Sequence, residues 1–345
     1  MKSSVSIHFI GRRQGLYPFT NSRWFLENSR NKELAGLRKV TNLKIVNSIK
    51  KADIIFFRHK PENTTDSDFK RLFNIEKNSN KKIINPISSF YNYDLKDRSF
   101  SLWEKNGLST PSYIKLNIYN KDVKEEYHKI ANFIKKYERI LLRTNNETGS
   151  KGIFYLDSAC SENDIIKSFD SIRNRMIVRL ENHGKTNIIA VEYIKSNSTN
   201  AYNYLNRVHV IDNHLLGGYV IVNKKNIFHA KHMQLNDYNE FIIKNKELSH
   251  FLKDDKILKK IMKSFQVLGN NLGAIEFFIN NNEMIFLELN PMWAGNYNCF
   301  GEIQGRLLEQ EKVLSKEIPM IYNWLNKKKY YKKMYEHLLQ STVKK

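Results

Sequence analysis

Cysteine is scarce: Cys160 and Cys299 are the only two in 345 residues. That excludes a disulfide framework and a four-thiolate zinc site. The ten histidines form no H-x-x-x-H pair, so no helix-borne zinc motif is present either. No apolar run approaches ~18 residues, and no membrane span is expected. The start, MKSSVSIHFIGRRQG, reads as a short strand rather than a signal-peptide core, which sets the expected location as the cytoplasm. No persuasive Ser/His/Asp or Cys/His set for nucleophilic catalysis stands out.

What the chain does have is enough apolar and aromatic content to fold, 41% and 12% respectively, over a length that suits two or three compact units. The formal net charge of +22 would ordinarily suggest an anionic partner. Its lysines are spread along the chain amid abundant Asn and Ile, as a compositional bias of the source would produce. The densest basic stretch, NKKKYYKKMYEHLLQSTVKK, interleaves Tyr330, Tyr331 and Tyr335 with lysines. A solvated helix with its aromatics against the body is the plainer reading, and no nucleic-acid partner is expected.

SVSIHFIG, ADIIFFR and KKIINPISSF read as buried strands of an N-terminal α/β unit, with a helical stretch around Asn31 to Lys51 and Pro86 closing the third strand. Leu95 to Asn106 reads as a helix running into Gly107, and PSYIKL as an extended linker. Lys121 to Tyr137 is a charged amphipathic helix, followed by strands RILLRT and IFYL around the loop NNETGSKG. A helix near Glu162 to Arg173 precedes the expected strands MIVRL and IIAVEYI. RVHVI and LLGGYVIVN are joined by Asp212-Asn213, a hairpin signal. Asn239 to Asn271 is helix-rich, and no internal repeat is visible.

The most informative run is LGAIEFFINNNEMIFLELNPMWAG. With Ala274 to Ile279 and Met284 to Asn290 as a hairpin, period-2 alternation places Ile275, Phe277, Ile279, Ile285, Leu287 and Leu289 on one face. Glu276, Phe278, Met284, Phe286, Glu288 and Asn290 take the other. A connection of three or five residues sets Glu276 opposite Glu288, whereas two residues would pair it with Leu287 and mix the faces, so the odd loop is expected. Two adjacent carboxylates repel unless a cation lies between them. Magnesium suits the demand, taking one or two carboxylates plus substrate phosphates, with the Asn290 amide oxygen as a further ligand and manganese as a substitute. Taken alone, the E-x-N could equally be a half-exposed hairpin with solvated carboxylates.

The loop from Asn145 to Gly152 is the second chemical feature. Gly149 and Gly152 let backbone N–H groups approach phosphate oxygens, and Ser150 and Lys151 add a donor and a charge. It is not a Walker A loop, because the spacing is wrong and a strand follows it. Viewed alone it is also compatible with an ordinary polar turn.

The order of these pieces resembles the ATP-grasp superfamily, in its carboxylate-amine or peptide-type ligase branch. An α/β unit leads to a helix with Lys96 and Asp97, then G-L-S-T-P, a glycine-containing loop between strands, V-E-Y-I, R-V-H-V, and the I-E-F-F and L-E-L-N-P pair. The resemblance covers residues 1 to 310 and is strongest at 272 to 296. It implies an α/β (α+β) fold in which two subdomains clamp ATP behind an N-terminal α/β domain. The expected division is 1–95 for the substrate-side domain, 96–195 for the small subdomain with the glycine-rich loop, 196–325 for the subdomain with the metal site, and 326–345 for a basic tail or helix.

The resemblance makes Glu276, Glu288 and Asn290 the magnesium ligands. Lys96, Arg143, Gly149, Ser150, Lys151 and Gly152 would hold the phosphates, although the family usually has lysine where Arg143 stands. Glu192, Tyr193 and Ile194 match the adenine and ribose hinge. Arg207 matches a family arginine at the transferred phosphoryl group. Lys231, beside His232 in HAKHM, falls near a further catalytic basic residue, and Gly295 and Asn296 match a substrate-receiving turn in which Trp293 is unusual. The implied reaction turns a carboxylate into an acyl phosphate that an amine attacks, releasing ADP and phosphate. Substrates would be small-molecule or peptide carboxylates and amines; Arg12, Arg13 and Arg58 could bind an acidic one, and a homo-oligomer is compatible with the sequence. A phosphotransferase on the same fold, or a basic nucleic-acid-binding module with a degenerate nucleotide site, are the alternatives.

Overall fold

The computed structural model of the chain describes residues 4–11, 20–21, 32–57, 66–120, 123–146, 152–183, 187–195, 201–281, 283–291 and 300–343. Three sheets organise it. In the first, β1 (Val5–Gly11) pairs with β2 (Thr20–Asn21), β3 (Leu43–Ile45) and β4 (Ile54–Phe57), and β5 (Lys82–Ile84) lies beyond β4. All but β2 run parallel. Parallel strands covered on both faces read as unbroken apolar runs, and the four residues of β4 are all buried. Helices α1 (Lys32–Leu37) and α2 (Asp66–Lys77) belong to this unit. The long helix expected over Asn31 to Lys51 is therefore only α1. Past Asn42, which holds a left-handed φ of 68°, the apolar-polar-apolar LKI pairs with β1 as a strand.

Helices α3 (Phe90–Asp94) and α4 (Lys96–Lys105) lead to the second sheet. It comprises β6 (Tyr113–Leu116), β7 (Arg139–Thr144), β8 (Ile153–Asp157) and β9 (Ile188–Glu192) in the antiparallel order β6-β9-β7-β8, with α5 (Val123–Tyr137) and α6 (Glu162–His183) packed against it. PSYIKL is thus an edge strand of this sheet rather than a linker. MIVRL belongs to α6: Ile165, Phe169, Ile172 and Met176 recur at helical spacing and all are buried in this unit's core, so the apolar run continues a helix face.

The third sheet has the order β11-β10-β12-β13, all antiparallel, from β10 (Asn203–Ile211), β11 (His214–Asn223), β12 (Leu272–Asn280) and β13 (Glu283–Asn290). Asp212 and Asn213 both take positive φ, 47° and 67°, as the tight hairpin turn between β10 and β11 requires. Between the two hairpins lie α7 (Tyr238–Phe251) and α8 (Asp255–Leu268). α8 begins where the Asp254 carboxylate accepts from Lys256 N–H at 2.7 Å, and it stops at Gly269. The short helices α9 (Gln304–Glu309), α10 (Glu311–Glu317) and α11 (Pro319–Leu325) precede α12 (Lys327–Val343).

The first and third sheets share one hydrophobic core, which Ile189 and Val191 of β9 join, and the second sheet has a further core of its own. The tyrosines of α12 join the shared core: Tyr330, Tyr331 and Tyr335 are buried, and Tyr335 Oη donates to the buried Glu33 of α1 at 2.6 Å. Gly36 makes this contact close, since a Cβ there would lie 2.7 Å from Tyr331 Cβ. The basic C-terminal stretch is thus a docked helix with its aromatics inward, as the interleaving suggested. No described helix is long and apolar enough to cross a membrane.

Candidate active site

A cleft opens between the second and third sheets, lined by Leu141 and Arg143 of β7, Arg207 of β10, and Glu276, Glu288 and Asn290 of β12 and β13. The carboxylates meet as expected, with Glu276 opposite Glu288 and Ala274 opposite Asn290. The route differs. Asn280 pairs with Glu283, so the connection is the two-residue one, and the register shifts between Glu276 and Phe277. Leu287 is the extra residue of a β-bulge. Below the bulge, Phe277 pairs with Phe286 and Ile279 with Met284, so Phe286 and Met284 face the core, contrary to simple alternation. Leu287 joins Phe278 on the cleft side, and so the expected apolar face is wrong at Ile285 and Leu287.

Each carboxylate has a cation. Arg207 pairs with Glu276 across the β10–β12 ladder and donates to it from Nη1 at 2.5 Å. Lys96 Nζ lies 3.5 Å from Glu288. Burial raises the pKa of Glu276, opposed by Arg207 and reinforced by Glu288. For Arg207, burial works against the charge, but Tyr219, Glu276 and Glu288 outweigh it and its pKa is raised. Burial lowers that of Lys96, with Glu288 opposing and Arg143 reinforcing. The Arg207 Nε is buried with no hydrogen-bond partner among the described residues.

Lys96 is held in place by its neighbours. The Asn145 side chain donates to Asp97 at 2.7 Å and accepts from Asp97 N–H at 3.0 Å, and Lys96 N–H donates to the Asn145 carbonyl at 3.2 Å. This bracket ties the start of α4 to the end of β7, where Arg143 sits. Gly152, with a left-handed φ of 60°, receives Thr144 N–H at its carbonyl. Gly149, Ser150 and Lys151 lie outside the described residues, as do Arg12, Arg13, Arg58, Trp293, Gly295 and Asn296.

The other end of the cleft is apolar. Glu192, Tyr193 and Ile194 line it with Leu205, Ile221 and Phe228. Burial pushes the Tyr193 phenol up to about 12, and its ring meets Tyr155 edge-on at 5.2 Å. Glu192 N–H bonds to Ser112 O and Tyr193 N–H to Arg139 O, so both backbone amides are engaged. The Glu192 carboxylate accepts from Ser112 N–H at 3.1 Å.

Lys231 is exposed and is not among the residues lining the cleft; His229, two positions earlier, is. A single 3₁₀ turn explains the difference. His229 accepts from Lys231 N–H at 3.3 Å and its own N–H donates to His232 at 3.2 Å, which turns Lys231 outward. Burial first, then Arg207, Lys231 and His232, lowers the His229 pKa to about 4, with Glu288 opposing. Asn226 and Phe228 are further lining residues that sequence reasoning passed over.

Two antiparallel sheets line a cleft, with paired carboxylates on the neighbouring strands β12 and β13 of one and a glycine-containing β7–β8 connection on the other, and a parallel α/β unit precedes them. The chain is similar in fold to D-alanine–D-alanine ligase from Bacillus anthracis. That ligase's complex with ATP matches at 12% identity and a TM-score of 0.51 over 99% of both chains, and a second structure of it at 10% and 0.54 over 99% of this chain and 97% of that one. The fold is ATP-grasp. D-alanyl-alanine synthetase A from Vibrio cholerae superimposes at 10% identity and 0.50, over 94% of this chain and all of that one. No protein-family model matches the sequence, and no curated protein matches it. In ATP-grasp terms, the described cleft lies between the two gripping sheets, with β1–β5 forming the preceding α/β unit.

Proposed function

We propose that the chain is an ATP-dependent ligase that activates a carboxylate as an acyl phosphate and joins it to an amine, releasing ADP and phosphate. The observation that carries this reading is the Glu276–Glu288 pair with Asn290 on the same side of the cleft, flanked by Arg207, Arg143 and Lys96. Two carboxylates and one amide oxygen are a donor set for magnesium, which leaves its remaining positions to phosphate and water. They fit the metal that the fold implies, and Glu276, Glu288 and Asn290 would hold it. A magnesium ion held by them would supply charge withdrawal from the phosphates.

The chain's own groups do the rest. The apolar end around Leu205, Ile221 and Tyr193 takes an adenine ring, with Ile194 at the hinge and Glu192 beside it for the ribose. Arg143 and Lys96 neutralise the inner phosphates. Arg207, whose Nε has no partner of its own, stabilises the equatorial oxygens of the group in transit. Lys151 and its neighbours Gly149, Ser150 and Gly152 close over the phosphates. His229 stays neutral at physiological pH and adds a donor without another charge. Among the described lining residues Glu276 and Glu288 are engaged by Arg207 and Lys96 and the His229 pKa is held at about 4, so none of the three is poised as a base for an alcohol, which favours acyl phosphate chemistry over hydroxyl phosphorylation.

The division into 1–95, 96–195, 196–325 and 326–345, small-molecule or peptide substrates and a cytoplasmic location complete the proposal. Its test is chemical trapping. Purified protein is screened with ATP, magnesium, hydroxylamine and a panel of carboxylates; hydroxamate with ADP and phosphate is expected. A stable phosphorylated acceptor without free phosphate would instead make it a phosphotransferase, and AMP with pyrophosphate would reject both.

A further inference from the structure

The β10–β11 turn, α8 and α12 enclose an open cavity of about 900 Å³ that shares no lining residue with the cleft. Lys259 and Lys263 line it from α8, one helical turn apart, and Lys333 and His337 line it from α12 with the same spacing. His214, the first residue of β11, stacks on His337 with ring centroids 4.6 Å apart and planes at 24°. Asp255 is the one carboxylate among the lining residues.

Lys259 and Lys263 are exposed, like many lysines of this chain, and two observations set Lys333 and His337 apart. Both ring nitrogens of His337 are buried, and among the described residues only the Gln340 side chain acts on the ring as a hydrogen-bond partner. Lys333 is held below its usual pKa by burial alone, with no carboxylate raising it. His337 is likewise lowered, first by burial and then by His214 and Lys333, with Gln340 and Glu336 acting the other way. Cations gathered on α8 and α12 repel each other, and withdrawing Lys333 and His337 from water adds to that cost. An anion between the helices would offset both.

The geometry points to a second ligand site, in which Lys259, Lys263, Lys333 and His337 hold the diphosphate group of a small molecule. The volume exceeds what one phosphate fills. The donors are ammonium and imidazole groups arriving from two sides, which suit the several oxygens of a phosphate chain. The diphosphate could be inorganic or part of a nucleotide.

Calorimetric titration of the full chain decides the matter. An Arg207→Ala background reduces binding in the cleft, and inorganic pyrophosphate and ADP are the probes. Pyrophosphate binding that weakens about tenfold or more in Lys333→Ala/His337→Gln, and similarly in the exposed pair Lys259→Ala/Lys263→Ala, is expected. Tighter binding of ADP than pyrophosphate with the same lysine dependence would assign the site to a nucleotide. Unchanged binding in both double variants, with circular dichroism showing them folded, would overturn the site. So would binding of a single-stranded oligonucleotide through these residues without any pyrophosphate binding.

Discussion

Glu276 and Glu288 stand directly opposite each other on β12 and β13, although the short turn between those strands would by itself set Glu276 against Leu287. The bulge at Leu287 restores the pair and keeps both carboxylates, with Asn290, on the cleft side.

If these three side chains hold the metal, Glu288→Ala or Asn290→Ala lowers ATP turnover by ~1000-fold, equivalent to about 4 kcal/mol of transition-state stabilisation, while far-UV circular dichroism stays as in the parent. Glu276→Ala is expected to be milder if Glu288 bridges two ions. Folded variants with parental turnover would remove the metal assignment.

Deleting Leu287 makes an unusual forecast. Removing the extra residue leaves Phe277 against Phe286 and Glu276 against Glu288 in an unbroken ladder. The shortened protein therefore folds and keeps magnesium-dependent turnover within about tenfold of the parent, with a raised KM for ATP because a cleft-lining apolar side chain is gone. Complete loss of metal dependence in a folded deletion variant would contradict this account of the bulge.

Gly273 precedes Ala274, the residue that pairs with Asn290, and a Cβ there would come within 2.8 Å of the Asn290 carbonyl oxygen and 3.2 Å of Phe265 and Leu289 side-chain atoms. Gly273→Ala must push the end of β13 outward. Turnover is expected to fall by about tenfold or more with a rise in the magnesium requirement, because a small displacement of a ligand is felt strongly. An unaltered magnesium titration would show that the strand end yields without moving Asn290.

The depressed pKa of His229 gives a pH signature with a definite sign. At about 4 in the folded chain and ~6.5 unfolded, the ring binds fewer protons when folded between those values. Its contribution to stability is complete above pH ~6.5 and is lost as pH falls towards 4. The raised pKa of Glu276 acts oppositely, its contribution fading as pH rises. The comparison to make is therefore denaturant unfolding of parent and His229→Gln across this window. The variant should lose part of the acid-side slope, and parallel curves would discount the His229 shift.

Much of this was legible in the primary structure because it rests on short-range patterns. Asp212-Asn213 declared its turn, the 3.6 spacing in Val123–Tyr137 declared α5, and the alternation around Glu276 placed the carboxylates. What escaped depends on distant or single-residue events. A bulge changes the parity of a strand without altering its composition, so Phe286 and Leu287 exchanged faces. Lys231 and His229 differ only by a 3₁₀ turn whose capping bonds link residues that look alike in sequence. The strand expected at MIVRL was a matter of where a helix stops, and nothing local marks that point.

Arg207 and Lys96 sit on the two carboxylates that the metal would use. The cleft thus already carries its own counterions, and on the proposed function loading it would be an exchange of partners. Arg207 and Lys96 would leave the carboxylates for the phosphates, freeing Glu276 and Glu288 for the divalent ion. A bare divalent ion would have to displace two tethered cations unaided, and a bare nucleotide would bring its charge to cations still occupied by carboxylates. Each arrival makes room for the other, so metal and nucleotide should load as a cooperative pair.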